Sequence, residues 1–154
     1  MVHKFDRNLR YLTTFGSPGT GDAQFLDPRG IAVHRRFGQI FILEKRSAQY
    51  YWIGADLRSL EATFDGALSA VVISFFPTER SLVNIGIYKS GKLVRPLASG
   101  WTVDPGPARI VWDLTDGAGR QSGPGSYSIT LQIEPTYSSY TYFKRKFERR
   151  VAIP

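Results

Sequence analysis

Residues Val83–Leu97 read VNIGIYKSGKLVRPL and carry the clearest structural signal in the chain. The first part alternates apolar with smaller or polar side chains and places Val83, Ile85 and Ile87 on one face, which is typical of a half-buried strand. The Ser-Gly pair inside Lys89–Lys92 follows, and its glycine can supply the positive φ that a tight hairpin turn needs. Apolar residues then resume beyond the turn. The stretch therefore predicts an antiparallel β-hairpin.

Similar short apolar runs separated by turn residues occur along the whole chain of 154 residues. The sequence contains 15 Gly, 9 Pro and 14% aromatic residues, a composition that favours strands joined by tight turns over helices. Strands are predicted in the first half at Leu9–Phe15, Gly30–His34, Gln39–Glu44, Gln49–Gly54 and Ser59–Phe64. Strands are predicted in the second half at Ala70–Phe76, Leu82–Tyr88, Leu93–Leu97, Ala108–Leu114, Gly125–Ile133 and Tyr140–Ile153. We therefore expect an all-β protein.

The hairpin belongs to an ordered series of motifs in the second half. Val111-Trp112-Asp113 comes next, then Asp116–Arg120, then Gly125-Ser126-Tyr127. In this order the motifs resemble the immunoglobulin-like domain of the flagellar hook-capping protein, a module also found at the C-termini of bacterial surface and secreted proteins. The resemblance implies an antiparallel immunoglobulin-like β-sandwich over about residues 70–153, and it favours an extracytoplasmic location.

Individual residues have physical roles in that predicted sandwich. Trp112 is expected to fill the centre, where its indole N–H needs a hydrogen-bond partner. The carboxylates between Asp113 and Gly119 are expected to accept backbone N–H bonds in a turn. Tyr127 is placed to close a corner of the sandwich. Leu114 departs from the family pattern, which commonly has glycine at that position.

The first half contains a second set of family motifs. Phe15-Gly16, Gln24-Phe25, Pro28–Val33, Gly38–Ile42 and the aromatic stretch Gln49–Trp52 resemble an NHL repeat, the blade unit of a class of β-propellers. The resemblance covers about residues 4–64 and implies one blade-like antiparallel sheet. It departs from the family at Glu44, where an Asp is usual, and in the turn that follows. We accordingly predict a blade-like segment at 1–66 and a sandwich at 67–154.

The glycine-rich loop before that sheet is a weak candidate for a phosphate site. Such loops bind phosphate at the N-terminus of a following helix. Residues Gly30–His34, which follow this loop, have the pattern of a strand.

A single blade leaves apolar side chains without a partner, because one repeat unit cannot bury its faces alone. The side chains concerned are Ile31, Val33, Ile40, Ile42, Tyr51 and Ile53. Three outcomes are open: packing on the second half, association with other copies, or docking onto a larger complex. A fourth is that the blade is a fragment of a longer propeller.

The formal net charge of +7 is unevenly spread. Lys144–Arg150 contains five basic residues and one Glu. Such a strand can contact nucleic acid, acidic glycans or anionic lipid, helped by Arg35, Arg36, Lys45 and Arg46. We favour a simpler interpretation, a solvated edge strand whose positive charge prevents edge-to-edge pairing.

The last predicted hairpin, Glu134–Tyr142, carries Tyr137, Tyr140 and Tyr142 among serines. Tyr/Ser-rich loops are typical of adaptable binding surfaces, because tyrosine offers a large contact area at low entropy cost. The other interpretation, that these tyrosines pack on their own sandwich, is equally compatible with the sequence.

Several kinds of chemistry lack support in the sequence. There is no cysteine, so disulfides, thiolate zinc sites and cysteine nucleophiles are excluded. His3 and His34 are the only histidines and do not form a metal-ligand pattern. Asp113 and Asp116 are better explained by turn geometry than by acid–base or calcium chemistry. The polar first ten residues do not form a signal peptide, and the longest apolar run, Ala67–Phe76, is too short to cross a bilayer as a helix.

We therefore predict a non-enzymatic structural or interaction subunit, without cofactor or metal, that docks onto a larger protein assembly or self-associates through β surfaces. The alternative is a polyanion-binding module, for nucleic acid or acidic glycan, that uses the basic C-terminal strand. The candidate interaction residues are Tyr51, Trp52, Tyr137, Tyr140, Tyr142, Lys144, Arg145, Lys146, Arg149 and Arg150.

Overall fold

The computed structural model describes residues 1–34, 38–52, 54–137 and 143–154. Its regular elements are strands arranged in several antiparallel sheets, so the prediction of an all-β protein is confirmed. Within the described ranges, no helix has the length and apolar character needed to span a membrane. In chain order the strands are β1 (Val2–Phe5), β2 (Tyr11–Phe15), β3 (Pro28–His34), β4 (Gln39–Glu44), β5 (Ala48–Trp52), β6 (Leu57–Asp65), β7 (Ala70–Pro77), β8 (Ser81–Lys89), β9 (Lys92–Val103), β10 (Ala108–Trp112), β11 (Gly125–Pro135) and β12 (Arg145–Ile153).

Two small sheets form the first part of the chain. β1 pairs with β2, and β3, β4 and β5 form a three-stranded sheet in sequence order. Their common core is small: Phe25, Ile40 and Ile42 are buried, and Val2, Phe15 and Tyr51 pack around them. The glycine-rich loop supplies Phe25, because the N–H of Phe25 donates to the carbonyl of Ser17 at 2.8 Å and folds the loop back on itself.

The remaining seven strands form two sheets that share one apolar core. The order is β10-β7-β6 in one sheet and β12-β11-β8-β9 in the other, and all pairs are antiparallel. Alternate residues of β7, β8 and β11 are buried, as expected for strands with one face on the core. We call these seven strands the two-sheet unit. Its fully buried side chains include Val71, Ile73, Phe75, Val83, Ile85, Ile87, Trp112, Tyr127, Ile129, Leu131 and Ile133.

The position of β6 differs from the sequence prediction. Ser59–Phe64 was grouped with the blade-like strands, whereas β6 pairs along its length with β7 in the two-sheet unit. Its side chains Leu60, Ala62 and Phe64 pack against the shared core. The physical reason is local, because the short turn after Asp65 returns the chain directly alongside β6 and forms a hairpin.

The hairpin predicted at Lys89–Lys92 is confirmed. Ser90 and Gly91 have φ of 49° and 78°, the left-handed pair that suits a two-residue turn between twisted strands. The second strand, β9, is longer than predicted and runs on to Val103. The chain passes Gly100, at φ 62°, without leaving the sheet, because the Asn84 side-chain oxygen accepts the Gly100 N–H at 2.8 Å.

Trp112 occupies the predicted central position. It is fully buried, and its indole N–H donates to the Thr115 carbonyl at 2.8 Å. Its ring packs edge-on against Tyr127, with 5.0 Å between the ring centroids. The Tyr127 hydroxyl donates to the Gly123 carbonyl at 2.6 Å, which ties the start of β11 to the loop before it. Lys89 adds a donor to the same hydroxyl at 3.1 Å.

Candidate docking surfaces

The outward face of the three-stranded sheet is largely apolar. Strand pairing places Phe41 opposite Tyr50 and Gly30 opposite Leu43, so these residues share one face, which Trp52 extends. Phe41, Tyr50 and Trp52 are 44%, 45% and 42% exposed. The Phe41 and Tyr50 rings lie 5.0 Å apart, and the Tyr50 and Trp52 rings lie 6.1 Å apart. We call Phe41, Leu43, Tyr50 and Trp52 the aromatic face.

The edge strand β3 exposes further apolar side chains on the other side of the same sheet. Ile31 and Val33 pair with Ile42 and Ile40, which are buried, yet both are 55% exposed. The prediction that all these isoleucines and valines need a partner is therefore wrong for Ile40 and Ile42. The folded glycine-rich loop places Phe25 against Ile40 and Ile42 of β4, whereas the side chains of β3 stay exposed.

Tyr51 and Trp52 were predicted together, but the alternation of β5 separates them. Tyr51 packs edge-on against Phe15 and Phe25, at centroid distances of 6.1 and 5.8 Å, and its hydroxyl accepts the Ala23 N–H at 3.2 Å. It therefore belongs to the small core. Trp52 points to the aromatic face, where its ring lies 6.3 Å from that of Phe143.

The described ends of the predicted tyrosine-rich hairpin contact the three-stranded sheet. Gly38 is packed so closely by the Tyr137 ring that an added Cβ would lie 2.4 Å from it. Gly54 is packed in the same way by Phe143. The Tyr137 hydroxyl is buried, and the described residues offer it no hydrogen-bond partner. Burial raises the pKa of Tyr137, and the charge of nearby Glu79 acts in the same direction.

Five of the sequence-based candidates lie outside the described residues. They are Tyr140 and Tyr142 of the hairpin tip, Arg35 and Arg36 of the basic set, and Ile53 of the apolar set.

The basic side chains of the C-terminal strand lie on two faces of the sheet and contact several partners. Lys144 pairs with Glu134 at 3.7 Å, and Arg145 forms an ion pair with Asp56. In β12, Lys146 and Arg150 lie opposite Gln132 and Ser128 on the outward face of their sheet. Arg145 and Arg149 lie opposite the buried residues Ile133 and Ile129, on the side of the core.

Arg145 and Arg149 lie on the inner side of β12, at the edge of the four-stranded sheet. β12 is an edge strand, and charges directed to the inner side of an edge strand oppose pairing with a further strand. The position of these two arginines is compatible with the protective role favoured from the sequence, which stays a prediction.

The acidic turn after Trp112 has the geometry expected for a structural turn. Asp113 accepts hydrogen bonds from the hydroxyl and N–H of Thr115, at 2.7 and 3.1 Å, and from Arg95 at 2.5 Å. Asp116 accepts the N–H groups of Ala118 and Arg120 at 2.8 and 2.9 Å.

These hydrogen bonds stabilise the ionised carboxylates. The pKa of Asp113 is lowered mainly by the Thr115 hydroxyl, and that of Asp116 mainly by the Arg120 N–H. Across the described ranges, no three His, Cys, Asp or Glu side chains are grouped in a way that could hold a metal ion.

No protein-family model matches the sequence, and no similar curated protein is found. Function is therefore inferred from the surfaces themselves.

Sequence reasoning identified Trp52 but missed the other members of the aromatic face, Phe41, Leu43 and Tyr50, and also Phe143. The continuous apolar run Ile40-Phe41-Ile42-Leu43 contained the signal for a strand that is apolar on both faces. The sequence could not show which of the two faces would be covered.

Proposed function

We propose that the chain is a non-enzymatic structural or interaction subunit that docks onto the β-sheet of another protein, or of a second copy, through β3 and the surfaces beside it. The observation that carries this proposal is the contrast between two edge strands. β12 carries Arg145 and Arg149 on its inner side, whereas β3 has its Pro28 and Arg29 only at the start and exposes the uncharged segment Gly30–Val33, with Ile31 and Val33 both 55% exposed. An unprotected apolar edge is a template for pairing with an added strand.

The aromatic face is too small to form a stable complex by itself, so a contact there also needs the edge strand β3. Three aromatic side chains that are 42–45% exposed leave roughly 200–300 Å² of mostly apolar surface. At about 25 cal/mol per Å², covering that area yields about 5–8 kcal/mol. Association itself costs about 4–15 kcal/mol, so the aromatic face alone gives a weak complex. Backbone hydrogen bonds along β3 would supply the rest.

The architecture of the two-sheet unit supports an immunoglobulin-like sandwich in this proposal. Its three-plus-four strand arrangement fits a seven-stranded sandwich. The hydrogen bond from Tyr127, near the start of β11, to the backbone of Gly123 has the form of a tyrosine corner. Such a unit would serve as the scaffold, and the blade-like sheet β3–β5 would carry the docking surface.

A matched pair of substitutions tests the proposal. Val33→Lys places a charge on the exposed edge β3, and Val111→Lys places the same charge on β10, an edge strand where Val111 is 43% exposed. Light scattering over a wide range of concentration, together with binding of an apolar fluorescent dye, measures association and exposed apolar surface.

We expect the natural chain to associate or to bind the dye, Val33→Lys to reduce that signal, and Val111→Lys to leave it unchanged. A natural chain that stays monomeric at all concentrations and binds no dye would refute the proposal. An equal effect of the two lysines would show that the edge β3 has no special role.

A further inference from the structure

A groove of about 490 Å³ lies on the outward face of the four-stranded sheet, and none of its lining residues belongs to β3. It exists because small side chains line its floor: Ser126, Ser128 and Thr130 follow one another on the outward side of β11. Long side chains of β12 form one wall, and Tyr88 of β8 forms the other. A volume of this size is within the range of small-molecule sites, about 300–1,000 Å³.

The aromatic wall is the Tyr88 ring, whose position depends on the missing side chain of Gly86. A Cβ added to Gly86 would lie 2.8 Å from the Tyr88 ring, so the ring extends across the glycine along the sheet surface. Tyr88 is half-buried in this position. An aromatic ring laid along the side of a polar groove offers a flat apolar contact together with a hydroxyl group.

The opposite wall alternates in charge. Lys146, Glu148 and Arg150 project to the groove from every second residue of β12. The Ser128 hydroxyl donates to Glu148 at 2.5 Å. Lys146 and Arg150 take part in none of the ion pairs found among the described residues. The two cations are four residues apart, which is about 13 Å along a strand at about 3.3 Å per residue.

This arrangement fits a ligand with many hydroxyl groups and widely spaced negative charges. The three floor hydroxyls and Glu148 can exchange hydrogen bonds with neutral sugars, and each cation can pair with a carboxylate. A nucleic-acid strand fits less well, because DNA presents a phosphate about every 3.4 Å of helix axis on each strand and would meet Glu148 between the cations.

We propose that this groove binds an acidic polysaccharide, with carboxylate-bearing sugars at Lys146 and Arg150 and a neutral sugar between them beside Glu148. The proposal does not depend on docking through β3, because no groove residue lies on that strand.

Three variants separate the groove from general positive charge. Arg150→Ser and Lys146→Ser each remove one charge from the groove. Arg149→Ser removes the same charge from the adjacent residue of the same strand, but on the opposite face. The probe is an oligosaccharide of alternating glucuronate and N-acetylglucosamine, measured by titration calorimetry with the full chain. A neutral N-acetylglucosamine oligosaccharide and single-stranded oligothymidine serve as comparison ligands.

We expect the acidic oligosaccharide to bind, each groove variant to weaken binding by about three- to tenfold, and Arg149→Ser to have little effect. Thermal unfolding of each variant shows that the fold is retained. Absence of binding, equal binding of the neutral oligosaccharide, or equal weakening by Arg149→Ser would overturn the proposal. Tighter binding of oligothymidine with a steep salt dependence would replace it with a nucleic-acid site.

Discussion

At Leu114 an unfavourable backbone conformation opposes the favourable burial of the side chain, and replacing this residue measures which of the two free energies is larger. The backbone there has φ of 60°, the left-handed region that favours glycine. The side chain, however, is only 6% exposed and belongs to the core of the two-sheet unit. A glycine at this position relaxes the backbone and at the same time empties part of the core.

The magnitudes favour the side chain. Left-handed backbone costs a residue with a Cβ about 1–2 kcal/mol, which glycine recovers. Loss of a buried leucine side chain costs about 2–5 kcal/mol, and the greater freedom of glycine in the unfolded chain adds about 0.5–1 kcal/mol. We therefore expect Leu114→Gly to lower the free energy of unfolding by about 0.5–5 kcal/mol and Leu114→Ala, which keeps the strain, by about 2–5 kcal/mol.

Urea unfolding followed by tryptophan fluorescence provides the assay. All variants carry Trp52→Phe, so that the signal comes from the two-sheet unit, where Trp112 is buried and Trp101 packs on Phe75. Ser69→Gly is the control, because Ser69 has φ of 48° on an exposed turn and no buried side chain to lose. That variant should be stabilised by about 0–1 kcal/mol.

The outcome that refutes the reasoning is a Leu114→Gly variant at least as stable as the natural chain. Backbone strain would then outweigh the buried side chain, and Leu114 would be a defect that the rest of the core tolerates. Equal stability of Leu114→Ala and the natural chain would show that the side chain contributes nothing to the core.

Two further predictions concern the acidic turn and the contact at Gly38. The lowered pKa values of Asp113 and Asp116 imply a contribution to stability that is present above the unfolded pKa near 3.9 and is lost as the pH falls through the folded pKa values. The midpoint temperature of thermal unfolding should therefore decrease when the pH is lowered below about 4. Asp116→Asn should make this pH dependence weaker. Gly38→Ala should destabilise the three-stranded sheet more than Gly91→Ala destabilises its hairpin. Both glycines have positive φ, but an added Cβ meets the Tyr137 ring at Gly38 and nothing at Gly91. Hydrogen exchange of the two regions measures the difference, and equal effects would contradict the proposed close packing.

Much of the fold could be predicted because its signals are local. Alternation identified β8, the Ser-Gly pair located its turn, and the bulky Trp112 had to be buried with a partner for its N–H. β4 was predicted with its observed bounds, Gln39–Glu44. Each of these features depends on a few neighbouring residues.

The errors concern relations between distant parts of the chain. A strand pattern does not state its partner, so β6 was grouped with the blade-like strands although it pairs with β7. Similarly, the apolar side chains Ile40 and Ile42 looked unpartnered because the sequence does not show that a distant loop places Phe25 over them.

The candidate site was predictable only in part for the same reason. Sequence composition indicated that apolar and basic surfaces exist, but the register of β11 with β12 decides which of the two alternating sets of basic side chains lies on the core side. Likewise, the burial of Tyr137 depends on Gly38, a residue far away in the sequence.

The alternation along β12 has an evolutionary consequence. A run that reads as one basic motif in the sequence consists of two interleaved sets of side chains on opposite sides of the strand. Under the two proposals made above, substitutions at Lys146, Glu148 and Arg150 would change ligand binding on the outward face, whereas Arg145 and Arg149 would be retained because they oppose edge-to-edge pairing. Selection could then change ligand binding on the outward face of β12 without removing the charges on its inner face that oppose strand pairing.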